Sequence, residues 1–180
     1  MIEDTLVLIK PEGVQRGIIG EVISRFERAG MKIIGLKMVL PYEEIAEAHY
    51  PLTEEWATSL TSKTRESYTK KGVTPPKVTE DPMVYGKQIQ SWLKRHLKSG
   101  VIVAMVIRGN CAVEIVRKLV GSTDPKSAAA GTIRGDFSVD SYDLADSEKR
   151  VIQNVIHASS SVDEARREIA VWFSKLVSYY

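Results

Sequence analysis

Apolar residues cluster in short runs along the chain, and these runs predict its strands. Thr5–Ile9 and Val101–Ile107 are almost continuously apolar, Met31–Leu40 is a longer run that includes lysines, and Val155–Ile156 is a short apolar pair. Continuous apolar runs of this length are typical of strands that are buried on both faces. The pattern therefore predicts four strands, of which the second is long.

Between the strands, apolar residues recur at the spacing of amphipathic helices. Gly30 ends the first helix, and Ser161 with Glu164 forms a capping box that begins the last one. A glycine and two prolines interrupt the helical pattern over residues 70–82, which are predicted to form a surface loop. The predicted helices cover, in chain order, residues 19–29, 45–50, 56–68, 84–97, 112–120 and 162–176.

The order of these elements predicts the fold class. Strand, helix, strand, several helices, strand, helix, strand and a final helix correspond to a split βαβ arrangement of the α+β class. In this arrangement we expect the helices to pack on one face of a four-stranded sheet. The length of 180 residues fits a single domain that spans 1–180.

Composition and charge narrow the function classes. Hydrophobic residues make up 43% and charged residues 27% of the chain, with a net charge of +2, which excludes disordered and fibrous classes. The apolar runs are shorter than the roughly 20 residues of a membrane span, and the acidic start of the chain does not resemble a signal peptide. These features predict a cytoplasmic protein without a membrane partner.

The chain has too few cysteines and histidines for a structural disulfide or zinc site. The single cysteine, Cys111, cannot form an internal disulfide, and the scattered histidines His49, His96 and His157 make a poor zinc set with it. Basic residues form no stripe, which argues against a specific nucleic-acid partner. Small anionic ligands remain compatible with this charge.

Three polar segments follow core elements and offer groups that bind phosphate. They are Lys10–Gly17 after the first strand, Gly121–Phe137 after the 112–120 helix, and Asn154–Ser161 at the fourth strand. The sequence contains neither a P-loop nor a dinucleotide fingerprint, so phosphate binding would depend on side chains. Taken alone, the Gly121–Phe137 segment is more typical of a surface connector with a solvated arginine.

His157 and Glu168 form a candidate catalytic pair. Glu168 lies at the edge of the apolar stripe of the last helix, where an unpaired carboxylate would be costly, and His157 ends the preceding strand. A carboxylate that holds one imidazole nitrogen fixes the tautomer and leaves the other nitrogen free as a nucleophile. A lone histidine in this place is more often structural, so the spacing permits the pair without establishing it.

Together the three segments resemble the nucleoside diphosphate kinases. The chain has Lys-Pro-Glu-Gly-Val-Gln-Arg-Gly from Lys10, Gly-Thr-Ile-Arg-Gly-Asp-Phe from Gly131 and Asn-Val-Ile-His-Ala-Ser-Ser-Ser from Asn154, which are close to three signatures of that family in the same order. The resemblance covers nearly the whole chain and implies a ferredoxin-like, four-stranded antiparallel sheet. It also implies an enzyme that moves the terminal phosphoryl group of a nucleoside triphosphate to a nucleoside diphosphate through a phosphohistidine at His157.

The resemblance implies roles for other residues and partners as well. Glu168 would orient His157, Ser159 would support that pair, and Lys10 would take part in catalysis. Magnesium (Mg2+) would arrive on the nucleotide rather than on protein side chains, and the substrates would be ATP, GTP, ADP, GDP and their deoxy forms. A homo-oligomer built on a dimer, up to a tetramer or hexamer, is also implied. The positions assigned to nucleotide contacts are Lys10, Tyr50, Trp56, Arg117, Thr123, Arg134, Val151 and Asn154.

Departures from the family pattern leave alternatives open. Ala130, Ala158 and Ser160 replace the usual proline, glycine and aspartate, and we expect insertions near 54–82 and 138–150. A non-catalytic nucleotide-binding or scaffolding module of the same fold would fit these departures. An RNA-binding module would need exposed aromatic residues on the central strands, and the first and third predicted strands contain none.

Two further expectations concern individual side chains. The phenylalanine that stacks on the base in the family is missing, and Trp56, the nearest aromatic residue, either stacks on the base or packs its helix onto the body. Lys10, Arg117 and Arg134 are expected to neutralise phosphates at positions far enough from the core to be replaced without unfolding the chain.

Overall fold

Four strands form one antiparallel sheet in the computed structural model, which describes residues 1–174. The strands are β1 (Ile2–Ile9), β2 (Lys32–Val39), β3 (Ile102–Asn110) and β4 (Ile156–Ala158). Their order across the sheet is β2, β3, β1, β4, and every neighbouring pair is antiparallel. The predicted ferredoxin-like sheet of the α+β class is therefore confirmed.

Helices occupy most of the connections between the strands. The last of them ends at Trp172, and Leu176, at the end of the predicted 162–176 helix, lies outside the described residues. No helix in the described part of the chain combines the length and apolar character needed to cross a bilayer. The helices are α1 (Pro11–Gln15), α2 (Ile19–Arg28), α3 (Glu43–His49), α4 (Glu54–Lys70), α5 (Pro82–Leu97), α6 (Ala112–Val120), α7 (Ile133–Phe137), α8 (Tyr142–Ser147) and α9 (Val162–Trp172).

The sequence pattern does not predict α1, α7 or α8, because these helices are too short to show an apolar period. Local capping groups begin two of them: Thr132 accepts from a backbone N–H of α7, and Ser141 accepts from one of α8. The segment predicted as a surface loop over residues 70–82 is mostly exposed. It contains a short 3-10 turn (Lys77–Glu80) that buries Thr79, and α5 begins at its last residue, Pro82.

Helices cover both faces of the sheet, so the expectation of one covered face is wrong. Val7 and Ile9 of β1 pack with apolar residues of α2 and α6, whereas Leu6 and Leu8 pack with residues of α3, the end of α5 and α9. Successive side chains of a strand point to opposite faces, and those of Thr5–Ile9 in β1 are fully buried on both. A continuously apolar strand requires this second layer of helices.

The outer edge of the sheet at β2 carries apolar side chains. Within residues 1–174, β2 pairs only with β3, and Leu36 and Met38 are 51% and 59% exposed. A long strand edge with unpaired backbone groups favours pairing with another chain. The opposite edge is the short β4, which lies beside the candidate site.

Candidate active site

One cavity of about 600 Å³ brings most of the predicted site residues together. It lies where the end of β1, the segment around β4 and the loop after α6 meet α4 and α5. Two predicted residues, Glu168 and Ser159, do not line it and stand behind His157 instead. The predicted residues that line the cavity are Lys10, Tyr50, Trp56, Arg117, Thr123, Arg134, Val151, Asn154 and His157.

His157 is held from behind by a buried carboxylate. Its Nε2 lies 2.9 and 3.1 Å from the two carboxylate oxygens of Glu168, which is 1% exposed, and the Ser159 hydroxyl donates to the same carboxylate at 2.6 Å. Burial alone would raise the pKa of Glu168, but the charge and hydrogen bond of His157, with smaller contributions from His49 and Ser159, lower it to about 2. An ionised carboxylate only accepts, so in the neutral His157 ring Nε2 carries the proton and Nδ1 keeps its lone pair.

Lys10 is fixed by a chain of hydrogen bonds. Its Nζ donates to Asn154 Oδ1 at 2.6 Å, and Asn154 Nδ2 donates to the Thr123 carbonyl at 2.8 Å. Burial lowers the pKa of Lys10 to about 8, against the opposite influence of Glu12. The contacts join all three polar segments identified in the sequence at one point.

Arg134 is a buried cation whose guanidinium also supports the backbone. It donates to the carbonyls of Gly121 at 3.0 Å and Ile156 at 2.8 Å. Burial lowers its pKa to about 10, and the charge of Arg117 contributes in the same direction. The expectation that all three cations stand apart from the core is therefore wrong for Lys10 and Arg134, which are 6% and 8% exposed, and holds for Arg117, which is exposed.

A strained turn at Val155 aims the neighbouring side chains. Val155 has φ of 59°, which is unfavourable for a β-branched residue, and the Ile156 N–H donates to the Asn154 carbonyl at 2.7 Å across it. Glu12 accepts from the Val155 N–H at 3.0 Å and holds the turn. A Cβ at Gly13 would stand 3.0 Å from the Val155 carbonyl, so the close approach requires glycine. The turn brings Asn154 and His157 to the same cavity.

The sequence analysis missed most of the outer wall of the cavity. One face of α4 and the residue after it line the cavity through Trp56, Leu60, Thr64, Ser67, Tyr68 and Lys71. At the outer end, the Tyr68 hydroxyl donates to Asp146 at 2.9 Å, and Lys71 pairs with Asp143 of α8. The apolar period of α4 is visible in the sequence. Its polar end contacts α8, and this contact could not be predicted because α8 is distant along the chain.

Comparison with known proteins identifies the family. The family described as nucleoside diphosphate kinase matches residues 3–66 and 83–177, which is most of the chain. The chain belongs to the nucleoside diphosphate kinase family. The resemblance drawn from the three segments is therefore confirmed, and with it the expectation of a phosphotransferase. The match leaves out residues 67–82, the segment that includes the polar end of α4.

Related nucleoside diphosphate kinases support this membership along almost the full length. A curated one from Pyrobaculum aerophilum is 52% identical over 174 residues, covering 96% of this chain and 95% of its own. The crystal structure of an NDP kinase from that organism has a TM-score of 0.92 and 48% identity, covering 99% of this chain and 100% of its own. A nucleoside-diphosphate kinase from Borrelia burgdorferi, solved as a transition-state mimic with vanadate and ADP, has a TM-score of 0.78 and 33% identity over 99% of this chain and 92% of its own.

Proposed function

We propose that this chain transfers the terminal phosphoryl group of a nucleoside triphosphate to a nucleoside diphosphate in two steps, through a phosphohistidine at Nδ1 of His157. The observation that carries the proposal is the contact of Nε2 with the buried Glu168 carboxylate, which leaves Nδ1 as the nitrogen that can react in a cavity lined by cations. The Borrelia burgdorferi relative, a mimic of the transition state with vanadate and ADP, supports the same chemistry.

In the first step, the Nδ1 lone pair attacks the terminal phosphorus. The bond from that phosphorus to the bridging oxygen breaks, and the nucleoside diphosphate leaves with the bond electrons. The ring then carries a positive charge, which Glu168 balances, while the Nε2 proton stays in place. In the second step, a terminal oxygen of the acceptor diphosphate attacks the phosphorus and the N–P bond breaks, which restores the neutral ring.

The cations and polar groups of the cavity would stabilise the phosphoryl group in transfer. Charge spreads over its oxygens in the transition state, so catalysis depends mainly on positioned donors. We assign this role to Lys10, Arg117 and Arg134, with Thr123 and Asn154 as polar contacts. Burial raises the pKa of Tyr50, whose hydroxyl therefore stays protonated and able to donate. Tyr50 and Val151 are assigned to the nucleoside.

Magnesium belongs to the substrate in this proposal. The carboxylates that line the cavity among the described residues are Asp146 and Glu164, and each already accepts a hydrogen bond, from Tyr68 and Ser160 respectively. The phosphate end of the cavity is instead cationic. These donors fit a nucleotide that brings Mg2+ bound to its own phosphates. The expectation of a cytoplasmic location stays a prediction.

Labelled ATP tests the two-step transfer. Incubation with ATP labelled at the terminal phosphate, without acceptor, is expected to give an acid-labile phosphoprotein, because phosphohistidine hydrolyses in acid. Addition of unlabelled ADP or GDP should then discharge the label into ATP or GTP. Nucleotide binding without any labelled protein would contradict the proposal and support the non-catalytic alternative.

Trp56 is proposed as the stacking platform for the base. It lines the cavity near the start of α4, where Thr53 caps the helix. Stacking on an aromatic ring contributes about 1–3 kcal/mol per base without reading its edge, so Trp56→Leu should raise KM by about tenfold for adenine, guanine and cytosine nucleotides alike. Trp56→Phe keeps a ring and should remain close to the wild type. An unchanged KM in Trp56→Leu would leave Trp56 with a packing role.

Assembly into a homo-oligomer is also proposed, with a dimer formed along the edge of β2. The exposed Leu36 and Met38 and the unpaired strand edge among the described residues support this arrangement. Sedimentation velocity should show at least a dimer at micromolar concentration, and Met38→Lys should shift it towards the monomer. A wild type that sediments as a monomer would contradict the proposal.

A further inference from the structure

His49 is a buried histidine that the reaction as proposed does not use. It is the last residue of α3 and only 2% exposed. Its ring stands edge-on to the His157 ring, with centroids 4.7 Å apart and an angle of 83° between the planes. The Tyr50 and Trp172 rings lie against it at 4.4 and 5.6 Å. Nothing in the sequence pattern marks this residue, which is distant from His157 along the chain.

The hydrogen bond from Trp172 fixes the tautomer of His49. An indole nitrogen can only donate, and Trp172 Nε1 donates to His49 Nδ1 at 3.3 Å. Nδ1 therefore has the lone pair, and the ring proton is on Nε2. The same Nδ1 lies 3.4 Å from Oε1 of Glu168. Two acceptors thus face each other, and His49 gives no hydrogen bond to the carboxylate in this tautomer.

In this arrangement the Glu168 carboxylate is free to accept from His157 Nε2. The donors within hydrogen-bond distance of its oxygens are His157 Nε2 and the Ser159 hydroxyl, while the Arg167 guanidinium stays 3.8 Å away and donates to the Ala48 carbonyl. If His49 could turn its N–H towards Oε1, it would compete with His157 for the same oxygen. The Trp172 bond prevents this competition.

His49 also stays neutral in its place. Burial and, to a smaller extent, the charge of His157 lower its pKa to about 3, although Glu168 acts in the opposite direction. Arg167 and Lys10 are the other charged groups that act on it, and both disfavour a cation there. A neutral ring adds no second positive charge beside His157 when that ring becomes phosphorylated.

We propose that His49 is a positioning residue: held by Trp172 and edge-on to His157, it fixes the orientation of the His157 ring and reserves Glu168 for Nε2, so that Nδ1 faces the cavity. The expected effect on the phosphorylation rate rests on the proposed function. The tautomer of His157, by contrast, can be measured without any transfer of phosphate.

Two variants separate positioning from packing. His49→Phe keeps a ring of similar size but leaves the buried Trp172 N–H without its acceptor, and Glu168 Oε1, which faces the same Nδ1 position at 3.4 Å, is then open to that N–H in competition with His157. His49→Asn keeps an acceptor for Trp172 close to the position of Nδ1. We expect His49→Phe to slow phosphorylation of the enzyme by ATP by about 10- to 100-fold in single-turnover experiments, with an unchanged Kd for the nucleotide. His49→Asn should recover most of this loss.

The spectroscopic measurement uses 15N-labelled histidine. The nitrogen shifts of wild-type His157 should report a protonated Nε2 and an unprotonated Nδ1, and those of His49→Phe should report a mixture of tautomers. Unchanged His157 shifts in His49→Phe, or equal losses in His49→Phe and His49→Asn, would overturn the proposal. If the wild type is not phosphorylated, the proposed function fails, and the nitrogen shifts still decide the role of His49.

Trp172→Phe serves as the second variant if His49→Phe does not fold. It keeps an aromatic ring and frees His49 to donate to Glu168, so it should also populate the wrong tautomer of His157. His157 shifts identical to those of the wild type would refute the proposed role of the Trp172 bond and, with it, the role of His49.

Discussion

Replacement of His157 by alanine is expected to abolish the phosphoenzyme and nearly all phosphoryl transfer. Among the described residues, His157 is the one histidine that lines the cavity, and Glu168 holds its Nε2 so that Nδ1 is free to attack. Incubation of the variant with terminally labelled ATP, followed by electrophoresis without acid, measures the adduct directly.

A variant that keeps the hydrogen bond makes this result easier to interpret. His157→Ala leaves the Glu168 carboxylate buried without its main donor, which lowers stability. His157→Gln retains an N–H for Glu168 but has no nucleophile, so it should fold and still show no label. Glu168→Gln is expected to be milder than either, because the nucleophile remains. A labelled His157→Gln protein would place the phosphoryl group on another residue and contradict the mechanism.

The sequence predicts those strands and helices whose burial leaves a regular pattern of apolar residues. The inner parts of β1 and β3 are almost continuously apolar because they lie in the centre of the sheet, and the stripes of α2 and α6 repeat because one face of each is buried. Strands that are apolar on both sides require helices on both faces of the sheet, although the order of elements had suggested helices on one face only. Helix α9 was predicted as a helix but not as part of the second layer of helices. Ser161 caps it as expected, whereas Glu164 accepts from the N–H of Ser160 rather than from that of Ser161, so the expected capping box is only half formed.

The candidate site was only partly predictable, for a related reason. The residue types that bind phosphate stand in three recognisable segments, and a carboxylate on an apolar stripe made His157 and Glu168 a candidate pair. The strained turn at Val155 and the contact of His49 with Trp172 depend on tertiary packing between segments far apart in sequence. No local pattern records such contacts, so they became visible only in three dimensions.

The second large effect is expected for Arg117→Ala, which tests the role of charge without disturbing the fold. Arg117 is exposed on α6, lines the cavity and has no hydrogen-bond or ion-pair partner within residues 1–174. Its charge lowers the pKa of Arg134, so the two guanidinium groups act on each other across the place where an anion would bind. Two like charges near each other favour a polyanionic ligand.

Loss of one such preorganised cation should reduce kcat by about 10²–10³-fold. The melting temperature should stay within the small range expected for a surface substitution.

Lys118→Ala is the matched control, because Lys118 is the next residue of α6, is exposed and does not line the cavity. Arg117→Lys keeps a point charge but not the planar fork, so it should recover only part of the rate. Equal rates for Arg117→Ala and Lys118→Ala would show that the cavity does not use this charge. A comparable loss in Arg134→Ala could not be interpreted in the same way, since that guanidinium also holds the carbonyls of Gly121 and Ile156.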